Sequence, residues 1–66
     1  MTINKQNFEI ALAKAKTTKS GLADVAGVST ATITKILAGN SSSPVTIGRI
    51  ADALGVDVTE IIAKED

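Results

Sequence analysis

An all-α, compact five-helix domain is the fold class that the sequence predicts, and three observations predict it. Apolar residues recur at helical spacing in five short segments, and nowhere do they alternate long enough for a strand. Glycines, small hydroxyl residues and one proline fall between these segments, where helices start and stop. At 66 residues the chain is one domain, residues 1–66, near the lower size limit for a self-supporting core.

Thr2-Ile3-Asn4 is expected to be an extended arm, with Asn4 able to cap the first helix. Helix one is expected over about residues 5–16, because Phe8, Ala11, Leu12 and Ala15 form one stripe while Ile10 lies off it. Thr17-Thr18, two poor helix formers, mark the first loop. Helix two, about 19–26, buries Leu22, Ala23 and Ala26; Gly21 within it costs about 1 kcal/mol of propensity against Ala. Gly27 can take a positive φ and end this helix, Val28 is an apolar wedge, and Ser29 is a strong N-cap. Helix three, about 30–38, carries Ile33, Ile36 and Leu37 inward and is stopped by Gly39.

The polar loop Asn40-Ser41-Ser42-Ser43 leads to Pro44, which suits the first turn of a helix. Helix four, about 45–54, presents Ile47, Ile50, Ala51 and Leu54 and stops at Gly55. Asp57-Val58-Thr59-Glu60 has the form of a capping box, opening a short helix five over about 58–63. The tail Lys64-Glu65-Asp66 is expected to fray. Phe8, Leu12, Leu22, Ile33, Leu37, Ile50 and Leu54 are expected to carry most of the core.

Composition narrows the chemistry. Phe8 is the only aromatic residue, and there is no Cys and no His. Disulfides, thiolate or imidazole metal sites and His- or Cys-based catalysis are thereby excluded. The glycines form neither a GxGxxG nor a P-loop pattern, so the chain is expected to be no enzyme and to need no cofactor. No apolar run or signal segment is visible, so a cytoplasmic protein without a membrane partner is expected. Net charge is zero, yet the distribution is uneven. Residues 1–50 hold six cations against two carboxylates, net +4, and residues 51–66 hold one against five, net −4. An acidic end that only keeps the domain soluble is the plainer alternative.

Lys19 to Gly39 thus forms a helix, a short glycine-bearing turn and a second helix, the helix-turn-helix pattern whose second helix commonly enters the DNA major groove. With Leu22-Ala23, Gly27-Val28-Ser29, Ile33, Gly39, Pro44 and Ala53-Leu54-Gly55-Val56 in this order, residues 8 to 62 resemble the Cro/C1 (Xre-type) family of phage repressors and bacterial transcription regulators. The resemblance implies a lambda-repressor-like DNA-binding domain that regulates transcription from near-palindromic operators, often as a homodimer. Two positions depart from the family pattern. Leu37 stands where many members have a Glu, with Leu12 in place of its Arg partner, so an apolar contact is expected to replace an ion pair. Lys19 stands where members often anchor a phosphate with Gln.

On helix three, Thr30 lies in the first turn, and Ala31, Thr34 and Lys35 point away from the apolar side, so these four are the candidate base contacts. Lys19, Asn40, Ser41, Ser42 and Ser43 are the candidate phosphate contacts. A merely solvated helix face and an ordinary polar loop are the alternatives. Val45, Val58, Ile61 and Ile62 exceed what one short terminal helix needs for its own core, and are the candidate dimer interface. The chain is expected to carry no separate oligomerisation or ligand-sensing domain. Besides double-stranded DNA, a protein partner (a toxin or a repressor) is the alternative, with the fold used as an antitoxin or anti-repressor.

Overall fold

In the computed structural model, which describes residues 1–63, four α-helices are followed by one 3-10 turn: α1 Lys5–Ala15, α2 Lys19–Ala26, α3 Thr30–Leu37, α4 Pro44–Leu54 and the turn Val58–Glu60. The expected fraying of Lys64–Asp66 lies outside the described residues. α4 is the central element. Its buried side chains Ile47, Ile50, Ala51 and Leu54 face α2, α1 and the 3-10 turn. Phe8, Leu22, Ile33, Ile47, Ile50 and Ile61 are the large side chains withdrawn completely from water.

Local signals set the helix limits. Asn4, Thr18, Ser29 and Ser43 each accept a hydrogen bond from the amide three residues on, which occupies one of the donors left free at a helix start. All four helices also end in the same way, with paired backbone bonds from the two residues beyond the last turn: Lys16–Ala13 with Thr17–Leu12, Gly27–Asp24 with Val28–Ala23, Gly39–Ile36 with Asn40–Lys35, and Gly55–Asp52 with Val56–Ala51. The motif requires a left-handed residue. Glycine supplies it three times, and Lys16 (φ 53°) supplies it at the end of α1.

Three expectations are corrected. The fifth helix over 58–63 is only a single 3-10 turn, Val58–Glu60. The Asp57–Glu60 capping box does form, but the chain then straightens, because Ile62 pairs with Ile3 in an antiparallel bridge. Asn4 N–H donates to the Ile61 carbonyl at 2.8 Å, and Ala63 N–H donates to the Thr2 carbonyl at 2.9 Å, so these groups serve the arm and not a helix. The second correction concerns the core. Leu12 and Leu37 are half-buried against its edge, while Ile3, Ile36, Ile47 and Ile61 join its buried centre. Third, Ile61 is fully buried and has no surface to offer a second copy.

Candidate nucleic-acid interface

The bend between α2 and α3 is built by three residues with separate tasks. Gly27 (φ 73°, ψ 31°) turns the chain, and its N–H reaches back to the α2 carbonyls. Val28 comes next, half-buried against the core, and anchors the turn from inside. Ser29 Oγ accepts the Thr32 amide at 3.1 Å and starts α3. Ile33 and Ile36 hold the inner side of α3 in the core, at 1% and 3% exposure. The opposite side is open: Thr30, Ala31, Thr34, Lys35 and Ala38 are all exposed. Thus the four candidate base contacts share one uncovered face.

Hydroxyl chemistry on that face is unevenly available. Thr34 Oγ1 donates to the Thr30 carbonyl at 3.0 Å, one turn back. Ser29 and Thr32 hydroxyls lie 2.9 Å apart and bond each other. Thr30 stands at the first position of α3, where the backbone amides have no acceptor within the helix.

The candidate phosphate contacts divide. Lys19 is exposed at the first position of α2. Asn40 Nδ2 donates to the Lys35 carbonyl at 2.9 Å and thereby helps close α3. Ser43 caps α4, with its Oγ 3.0 Å from Thr46 Oγ1. Ser41 and Ser42 meet residues no sequence signal connects with them: the Met1 ammonium donates to Ser41 Oγ at 3.1 Å and to the Ser42 carbonyl at 3.0 Å, and Ser42 N–H donates to the Met1 carbonyl at 2.8 Å. The arm therefore braces the loop that precedes α4. Its role was hidden because partners some 40 residues apart leave no local pattern.

Of the expected dimer residues, Val45 is well exposed on the first turn of α4, and Val58 and Ile62 are half-buried against the core. Ile61, the fourth of them, is fully buried and adds nothing to this surface. Among the described residues no group of carboxylates is arranged to hold a metal ion. No helix among them is long and apolar enough to cross a membrane.

A family model described as helix-turn-helix matches residues 9–61, which takes in α1 from its second turn onward and all of α2, α3 and α4. No curated protein and no solved structure matches the chain.

Proposed function

The chain belongs to the Cro/C1-type helix-turn-helix family of DNA-binding transcription regulators, and from that premise we propose that it binds a near-palindromic operator sequence-specifically, as a repressor-like regulator, with one α3 in each major-groove half-site. The carrying observation is that Thr30, Ala31, Thr34 and Lys35 occupy the uncovered side of a helix whose other side is locked in the core. Lys19 and the Asn40–Ser43 loop flank that helix in sequence and supply backbone contacts, which set register without reading bases. Two copies pair on the duplex, with Val45 and the half-exposed parts of Val58 and Ile62 as the apolar surface that remains for pairing.

Selection of bound fragments from random duplex DNA at fixed salt tests this. Enrichment of a short inverted repeat is expected. Equal binding to every duplex and to heparin would overturn it. Zero net charge, with Val25 and Val45 exposed, favours a second reading as a protein-gripping antitoxin or anti-repressor, for which a stable hetero-complex and weak binding to DNA alone are expected.

A further inference from the structure

We infer that α3 recognises thymine through its C5-methyl group, using the Ala31 methyl and the Thr34 methyl. The inference rests on the operator-binding reading and adds the base feature that is read. A threonine has one hydroxyl proton, and that of Thr34 is already donated to the Thr30 carbonyl at 3.0 Å. Its oxygen is drawn toward the helix backbone, and the remaining substituent on its Cβ is a methyl group. Ala31, three residues earlier on the same exposed side, has only a methyl to offer. Residues at this spacing are neighbours on a helix surface, with about 5–6 Å between their Cβ atoms.

The other hydroxyls nearby do not change this. Those of Ser29 and Thr32 bond each other and the start of the helix. Thr30 and Lys35 flank the methyl pair and supply the polar contacts. In the major groove the bases present hydrogen-bonding groups and one apolar group, the thymine methyl. Two adjacent methyls, with the one donor between them already committed to the Thr30 carbonyl, match that group.

The test uses the unaltered chain first. Each thymine of the enriched duplex is replaced in turn by uracil, which removes only the methyl and leaves base pairing intact. Affinity is expected to fall about fourfold for a sensitive position in one half-site, and about fifteenfold when both half-sites are changed, the factor for one buried carbon. Thr34→Val keeps the methyl without the hydroxyl and is expected to keep the thymine preference. Thr34→Ser keeps the hydroxyl without the methyl and is expected to weaken it. The reverse pattern, with Ser retaining preference and Val losing it, would overturn the inference. So would a uracil-substituted duplex bound as tightly as the original, which would leave the operator reading in place. A chain that enriches no duplex overturns both.

Discussion

Replacing Ile61 by Val removes one methylene from a side chain that has no exposure to water. Lost transfer free energy accounts for about 0.8 kcal/mol, and the unfilled space raises the cost to about 1.5 kcal/mol if the neighbours do not collapse. A domain of 66 residues has roughly 3–10 kcal/mol in total, so this is a measurable share. Urea unfolding tracked by circular dichroism, at an m-value of about 1 kcal/mol per molar, should show the midpoint lowered by about 1 M. The shift should not depend on protein concentration, because the side chain packs within its own copy. Ile61→Ala, at about 2–5 kcal/mol, would remove much of the fold and is the less useful variant. An unchanged midpoint, or a loss that disappears as the protein is concentrated, would refute the placement of Ile61 and return it to an interface between copies.

Lys16→Gly should stabilise the domain by about 0.5–1 kcal/mol, because it relieves a left-handed side-chain-bearing residue at the end of α1. Calorimetry should show a Tm rise of about 2–8 °C, and a fall would mean that the Lys16 side chain makes a contact worth more than the strain. The thymine-independent part of DNA binding should have a log–log salt slope of about −2 to −4 per domain, and Lys19→Ala should make it shallower by about 1 without changing site preference. Asp57 accepts the Thr59 backbone amide and its hydroxyl, which hold its carboxyl below its ordinary value of 3.8. The unfolded chain then binds the proton more readily, so this cap's contribution is complete above 3.8 and is lost as pH falls through the lowered value. Asp57→Asn should flatten the acid limb of the stability curve, and an identical acid limb would count against the cap.

Short-range chemistry made most of the helix limits legible. Asn4, Ser29 and Asp57 announce helix starts by residue type, and Gly27, Gly39 and Gly55 announce stops. Lys16 could not be read in this way, because the motif that holds it left-handed is a pattern of backbone bonds that favours glycine without demanding it. The outward side of α3 was evident from periodicity, since Ile33 and Ile36 leave the remaining positions little choice. The long-range partners of the arm had no such signal. Ile61 and Ile62 are adjacent and chemically alike, and only the bridge between Ile3 and Ile62 decides which one turns inward. The hydroxyl of Thr34 was ambiguous for a related reason: its residue type permits a bond to the turn behind it or to a base ahead, and a sequence does not choose between them.

The arm has a consequence for how the domain comes apart. Through Met1 it is fastened to Ser42, and through Thr2 and Asn4 to Ala63 and Ile61, so one short strand laces together the segment entering α4 and the segment leaving the 3-10 turn. These ties span nearly the whole chain and gain nothing until the helices have already assembled, so they close late and release early. Amide protons of Asn4, Ser42 and Ala63 should accordingly exchange with solvent as one unit, ahead of those in α4. Whatever loosens that lacing frees the serine loop and the last turn together.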